Sequence, residues 1–97
     1  MADVRLMNNI QPVTVDEADS VGLLQPKTYQ YKDDAKRSTH FGLIAQDVET
    51  VYPNLIDTGA NGYKVVRSLE LIAVLVSKIQ SLEKRIDEME THIRDNM

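Results

Sequence analysis

The chain has 97 residues, a formal net charge of −4 at pH 7 and no cysteine, which suits one domain without disulfides or thiol chemistry. The acidic balance, together with a single Phe and no Trp, gives little support to nucleic-acid binding. No apolar run is long enough to span a membrane, and no signal peptide is visible. We therefore expect neither nucleic acid nor membrane among its partners.

The first part of the chain predicts short elements separated by turn-forming residues. Residues 1–15 carry Pro12 and alternate only weakly between polar and apolar side chains, which indicates an extended or irregular arm. Residues 16–24 open with acidic side chains and predict a short helix. Residues 27–32 alternate around two tyrosines and predict a strand.

The middle of the chain predicts a buried strand and a second short helix. Residues 40–45 form a short apolar run that is typical of a buried strand. Residues 46–52 place apolar side chains on one helical face, and Pro53 ends that helix.

Turn-forming residues between two short apolar segments predict a β-hairpin. Asn61-Gly62 is the strongest hairpin signal in the chain, and it separates strands expected near Leu55 and at residues 63–66. The segment around Asp57 also resembles the active-site turn of retroviral aspartic proteases, in which two aspartates share a proton and activate water. Those enzymes are nearly all β, whereas a long helix follows here, so we expect an ordinary turn with an exposed Asp57.

The last thirty residues, 68–97, contain no Pro and no Gly and predict one long helix. Ser68 suits the N-cap, and Glu70 lies in the first turn, where the helix dipole favours an anion. The helix would be about 45 Å long, longer than any core that the first 67 residues could build. Its apolar residues recur at alternating steps of three and four, as in a heptad seam. The seam positions are Ile72, Leu75, Ile79, Leu82, Ile86, Met89 and Ile93.

The charges beside the seam favour pairing between parallel copies. Lys78 and Arg85 occupy g positions, and Glu83 and Glu90 occupy the e positions that face them on a neighbouring chain. Ile at a with Leu at d favours two strands, whereas Val76 at e widens the apolar face and suits a higher number. The pattern leaves dimer and trimer open, and a helix that lies on its own domain is the alternative.

Few residues suit catalysis or metal binding on sequence alone. His40 and His92 are the only histidines, and neither has a second ligand at metal spacing. No glycine-rich phosphate-binding loop is present. We therefore expect no metal and no cofactor.

Three segments, residues 2–10, 24–32 and 40–53, resemble the motifs of one family. It is the C-terminal intramolecular chaperone of phage tail spikes, tail fibres and neck appendages, also called the endosialidase-type chaperone or peptidase family S74. Its most specific block reads His-Phe-Gly-Leu-Ile-Ala-Gln-Asp-Val-Glu at residues 40–49. The matching motif positions are Asp3, Arg5, Asn9, His40, Gly42, Gln46 and Glu49.

We expect an α+β fold, with a small head of short strands and two short helices at residues 1–67 and a coiled-coil helix at residues 68–97. The resemblance implies a parallel homotrimer that holds three chains of a fibre precursor in register while the upstream fibre domain folds. It also implies autocatalytic cleavage just before position 2, in the host cell cytoplasm during virion assembly, with release of the domain from the mature fibre.

The chain departs from the family pattern at both catalytic positions. Where the family has a nucleophilic Ser and a Lys that acts as its base, this sequence has Ala2 and Met7, so we expect no self-cleavage as written. A recombinant fragment that starts at the cleavage point, with Met1 from the start codon, would explain Ala2 but not Met7. The alternative function is a structural trimerisation domain of a viral fibre or adhesin that is never released.

Overall fold

A computed structural model describes all 97 residues and has the predicted α+β architecture. Three α-helices and four short strands alternate along the chain, with 3₁₀ turns between them. The helices are α1 (Val15–Asp19), α2 (Ala45–Val51) and α3 (Ser68–Asp95). The strands are β1 (Lys27–Tyr29), β2 (His40–Gly42), β3 (Ile56–Thr58) and β4 (Lys64–Val66).

The contacts divide the chain into two compact units. Residues 22–68 form one unit, which contains all four strands and α2. Residues 1–21 and 69–97 form the other, which contains α1 and nearly all of α3. The predicted boundary between residues 67 and 68 falls where α3 begins, and its role as the division between head and coil stays a prediction.

The unit of residues 22–68 is built from two antiparallel strand pairs and α2. β1 pairs with β2, and β3 pairs with β4, each over three residue pairs. α2 packs against β3, β4 and the 3₁₀ turn that follows it. The buried side chains come from one short stretch of sequence, because Val48, Tyr52 and Leu55 are each less than a tenth exposed. The core is therefore small and centred on α2.

The predicted hairpin is confirmed as the β3–β4 pair. Its loop, residues 59–63, is closed by the Gly59 amide, which donates to the carbonyl oxygen of Tyr63 over 2.9 Å. The side-chain oxygen of Asn61 accepts from the Tyr63 amide at 3.0 Å. Gly62 has φ +83°, a left-handed conformation that a residue with a Cβ adopts only at a cost.

Two predicted strands are shorter than expected. The strand expected at residues 27–32 ends at Tyr29, because the Asp34 amide donates to the Tyr31 carbonyl and starts a turn. The buried strand expected at residues 40–45 is wrong in length and burial, since β2 ends at Gly42 and Phe41 is 86% exposed. Successive strand residues point to opposite faces of the sheet, and Phe41 lies on the face that no other part of the chain covers.

The N-terminal arm, residues 1–14, is mostly irregular, as predicted, with one 3₁₀ turn at Val4–Leu6. α1 begins at a capping box, in which the Thr14 hydroxyl accepts from the Glu17 amide and the Glu17 carboxylate accepts from the Thr14 amide. Hydrogen bonding of the carboxylate by the Thr14 amide, and secondarily by the Thr14 side chain, holds the pKa of Glu17 below its ordinary value. The helix continues as a 3₁₀ turn to Leu23, so the predicted helix at residues 16–24 is present but divided.

α3 is the longest element, at 28 residues. It begins at Ser68, as expected, and ends two residues before the end of the printed sequence. No helix of the chain combines the length and the apolar content that crossing a bilayer requires.

The left-handed glycine of the hairpin loop gives a test of the fold. We expect Gly62→Ala to lower the free energy of unfolding by about 1 kcal/mol, because alanine is strained at positive φ. Gly22→Ala is the matched control, since nothing lies within 4 Å of a Cβ at that position and its φ is not positive. Thermal unfolding followed by circular dichroism compares the two variants. Equal melting temperatures would contradict the predicted strain.

Candidate functional site

The heptad seam of α3 forms a continuous apolar stripe that the single chain leaves open. Its side chains are between 39% and 64% exposed, the least exposed being Leu75 and the most exposed Met89. Exposed apolar side chains are ordinary when scattered, but a contiguous stripe of them marks an interaction surface. In the single chain α3 therefore leaves this seam about half exposed and does not bury it on its own domain.

A different flank of α3 contacts the N-terminal segment. The Asp19 carboxylate at the end of α1 accepts a hydrogen bond from Lys78 Nζ at 2.8 Å. The same carboxylate contacts Arg85 Nη2 at 3.1 and 3.2 Å. Ala18, the residue before Asp19, is only 1% exposed. One carboxylate therefore joins α1 to two successive g positions of the heptad pattern.

The electrostatics of this contact favour the charged form of Asp19. The hydrogen bond from Lys78 holds the pKa of Asp19 below its ordinary value, and the Arg85 charge adds to the effect, while partial desolvation opposes it. An ion pair at the surface contributes little by itself, but here two cations share one anion and Lys78 is only 19% exposed.

Asp19 is the contact that sequence reasoning missed. We predicted that Lys78 and Arg85 would face Glu83 and Glu90 of a neighbouring chain, whereas in the single chain both cations bind Asp19. Asp19 lies 59 positions before Lys78, and no local spacing rule connects residues so far apart. The capping-box residues Thr14 and Glu17 indicate where α1 begins, but they do not indicate which element it contacts.

The N-terminal motif forms a self-contained turn. Asp3 caps the 3₁₀ turn by accepting from the Arg5 amide at 2.9 Å. The Arg5 guanidinium also binds both Asp3 oxygens, at 3.1 and 2.9 Å. This pairing lowers the pKa of Asp3 and raises that of Arg5. The motif residues Asp3 and Arg5 therefore fix the local backbone.

The predicted catalytic positions flank this turn. Ala2 directly precedes the N-cap, and Met7 is the C-cap, its amide donating to the Val4 carbonyl at 3.1 Å. Both are exposed, Met7 to 43%, and Asn9 follows with φ +53°. A fully extended chain would separate positions 2 and 7 by about 17 Å, so the turn shortens that distance. Neither side chain present can act as a nucleophile or a base.

In the strand pair β1–β2, His40 packs against two tyrosines and Gly42 lies against one of them. The His40 ring stacks on Tyr29 with centroids 5.4 Å apart and meets Tyr31 edge-on at 5.1 Å. A Cβ at Gly42 would lie 3.2 Å from Tyr29 Cε1, so the glycine makes room for the tyrosine ring. The Tyr31 hydroxyl, 3.3 Å from that of Tyr29, raises the pKa of Tyr29. These two motif residues pack the strands together.

The two motif residues of α2 have different surroundings. Glu49 forms an ion pair with Lys64 and so ties α2 to β4. Gln46 is exposed and lines an open cleft of about 520 Å³ together with Tyr29 and Lys64. No cluster of three potential metal-ligating residues occurs in the chain.

The aspartic-protease interpretation of Asp57 finds no support. Asp57 lies on β3 and accepts two hydrogen bonds from the Arg67 guanidinium, at 2.8 and 2.7 Å. Its side chain is 55% exposed, and the Arg67 interaction lowers its pKa. The expected exposure of Asp57 is confirmed, and the residue joins the two ends of the hairpin.

Comparison with known proteins gives three findings. The family model Peptidase_S74, described as the chaperone of endosialidase, matches residues 2–57. The long tail fiber protein Gp37 of Enterobacteria phage K3 is 27% identical over 99 residues, which is 95% of this chain and 8% of that protein. The Gp37 protein of phage T2 is likewise 27% identical over 95% of this chain and 7% of its own length. The chain thus spans less than a tenth of either relative.

A solved structure shows the same fold. It is described as the crystal structure of a novel intramolecular chaperone, and it superposes with a TM-score of 0.66 at 16% identity. The match covers 87% of this chain and 99% of the other. At this identity the likeness concerns the fold alone.

The Asp19 contact makes a prediction about pH. The pKa of Asp19 in the folded chain lies below its ordinary value of 3.8. The ionised carboxylate therefore stabilises the docking of α1 at pH values above 3.8, and this stabilisation is lost as the pH falls through the depressed pKa. We expect Lys78→Met to raise the pKa of Asp19, measured by NMR titration of its carboxyl carbon. Lys84→Met removes an equal charge from α3 without an ion pair and should leave it unchanged. Equal shifts in both variants would contradict the contact.

Proposed function

Because the chain belongs to the Peptidase_S74 family, the chaperones of endosialidase, we propose that it is the intramolecular chaperone of a phage tail-fibre precursor. In this proposal three copies associate through parallel α3 helices. They hold three precursor chains in register while the upstream fibre domain folds. The fibre itself is part of the proposal, because the chain aligns with only 7–8% of each Gp37 relative.

The observation that carries the proposal is the open seam of α3. Complete burial of a large apolar side chain gains about 1.5–3 kcal/mol, and each of the seven seam side chains is roughly half exposed. Covering the seam in an oligomer therefore gains about 1 kcal/mol for each seam side chain of each copy. The small core around Val48, Tyr52 and Leu55 supplies little burial of its own, so association supports folding.

A coil of this kind suits the folding of a β-rich fibre. Long, intertwined strands assemble slowly and expose sticky surfaces while they do so. A coil that joins three chains converts their association into an intramolecular step, at an effective concentration of order mM for a short tether. We place this event in the host cell during virion assembly, before the mature fibre is complete.

Release of the domain is the second part of the proposal. In the family mechanism the hydroxyl of a Ser at position 2 attacks the carbonyl carbon of the preceding residue while a Lys at position 7 takes its proton. The amide bond then breaks, the proton passes to the leaving nitrogen of the Ser, and water hydrolyses the resulting ester. A lysine serves as such a base only when burial or neighbouring charge lowers its pKa. With Ala2 and Met7 at these positions, this domain holds the three precursor chains together without cutting the bond before position 2.

The presence of Ala2 and Met7 at the catalytic positions favours a second candidate function. A chain that lacks both the nucleophile and the base remains attached to its fibre, which makes it a permanent trimerisation domain. The distinction lies in whether cleavage occurs, since both functions use the α3 seam in the same way.

The trimer is tested by charge in the seam. Wild-type protein should sediment at three times the 11.0 kDa of one chain. We expect Ile79→Asp with Leu82→Asp to give a largely unfolded monomer, because unpaired charges would be buried in the coil. Sedimentation equilibrium and circular dichroism measure the two effects.

The matched control adds the same charge outside the seam. Gln80 and Thr91 are exposed at b and f positions of the heptad, so Gln80→Asp with Thr91→Asp should remain trimeric. A wild-type mass of one or two chains would refute the trimer, and an oligomeric seam variant would refute the role of the seam.

Self-cleavage is tested in a fusion of this chain to an upstream fibre segment. The fusion with Ala2 and Met7 should remain intact on denaturing gels. Restoring both groups, with Ala2→Ser and Met7→Lys, should give a product cut before position 2, whereas either single substitution should not. Cleavage of the unmodified fusion at that bond would show that the nucleophile lies elsewhere.

A further inference from the structure

The two g-position cations of α3 are covered to different extents by their own chain. The Lys78 side chain is only 19% exposed, and its Nζ donates to the Asp19 carboxylate over 2.8 Å. The Arg85 side chain is 47% exposed, and both of its contacts with Asp19, at 3.1 and 3.2 Å, come from Nη2. The Nε and Nη1 groups of Arg85 can therefore donate to a further acceptor. Asp19 thus occupies Lys78 more fully than Arg85.

A parallel coil brings each of these cations a carboxylate from a second copy. By the pairing of g with the following e position, Lys78 faces Glu83 and Arg85 faces Glu90 of the neighbouring helix. Both glutamates are exposed in the single chain. Two cations would then have three carboxylates around them, because Asp19 of their own chain is already bound.

The three carboxylates do not gain equally from these cations. A second carboxylate beside Lys78 is attracted by the ammonium group but repelled by Asp19, and little of the Lys78 side chain is left uncovered. Arg85 differs because its planar guanidinium can bind carboxylates along more than one edge. Glu90 of the neighbour therefore finds free donors, whereas Glu83 meets a cation that is already neutralised and largely covered.

We propose that Asp19 keeps Lys78 out of the contact between copies, and that Arg85 and Glu90 form the ion pair that joins neighbouring α3 helices. The inference rests on the proposed parallel association through the α3 seam. It means that the docking of residues 1–21 and the association of copies compete for Lys78. Such coupling is reciprocal, so loss of Asp19 returns Lys78 to the neighbour's Glu83 and strengthens association.

The two glutamates give the first test, in the full chain, with the dissociation constant of the oligomer measured by sedimentation equilibrium. Glu90→Gln should raise the dissociation constant several-fold, because an ion pair is lost at every contact between copies. Glu83→Gln should not raise it, because Glu83 has no free cation to bind. Glu88→Gln makes the same chemical change at a c position, outside the contact, and sets the baseline.

The role of Asp19 is tested by repeating the comparison without its charge. Asp19→Asn should lower the dissociation constant several-fold, and Glu83→Gln added to it should then raise the constant. Asp16→Asn removes the same charge from α1 without removing an ion pair. It should change neither the dissociation constant nor the effect of Glu83→Gln.

The cations give an independent measurement that does not depend on how well the Asp19 variant folds. Arg85→Met should raise the dissociation constant several-fold, whereas Lys78→Met should not raise it. Circular dichroism checks that each variant keeps the helix content of the wild type.

The outcomes separate this inference from the proposed function. Equal weakening by Glu83→Gln and Glu90→Gln, equal weakening by Lys78→Met and Arg85→Met, or weaker association of a helical Asp19→Asn variant each overturns the competition and leaves the association through α3 intact. A monomeric wild-type mass overturns the proposed function and this inference with it.

Discussion

The structure depends on one constraint, which is that α3 carries more apolar surface than its own chain can cover. The seam from Ile72 to Ile93 is about half exposed throughout, and the rest of the chain offers only a handful of buried side chains to balance it. The 67 residues that precede α3 are a marginal size for a stable core unless they gain burial from elsewhere. The other features of the chain either leave this seam free or attach something to its flank, and none of them covers it.

The flank beside the seam has its own assignment. Heptad rules treat g-position cations as partners for a neighbouring helix, yet Lys78 and Arg85 are engaged by Asp19 of the same chain. The g residues thus hold the N-terminal segment, while the a and d residues remain open for the association proposed above. α3 therefore carries an open apolar stripe on one face and, beside it, long cationic side chains that bind Asp19 of the same chain.

Sequence reasoning recovered those parts of the fold that local rules determine. The hairpin at Asn61-Gly62, the helix ended by Pro53 and the long α3 each follow from spacing or turn chemistry within a few residues. It failed where the outcome depends on what covers a side chain. Phe41 was expected to be buried because its neighbours are apolar, but the two-stranded sheet leaves that face open. Asp19 could not be paired with α3 by any periodic pattern.

The buried core of residues 22–68 is assembled from neighbours in sequence: Val48, Tyr52 and Leu55 span only eight positions, and each strand pairs with the next one along the chain. Domains rich in such local contacts fold faster than structures built on distant pairings, and mixed α/β domains lie between helical bundles and all-β domains in rate. In the proposed precursor, this unit would therefore reach its native state before the β-rich fibre segment does. The order of events would then follow from the lengths of the loops that each part must close.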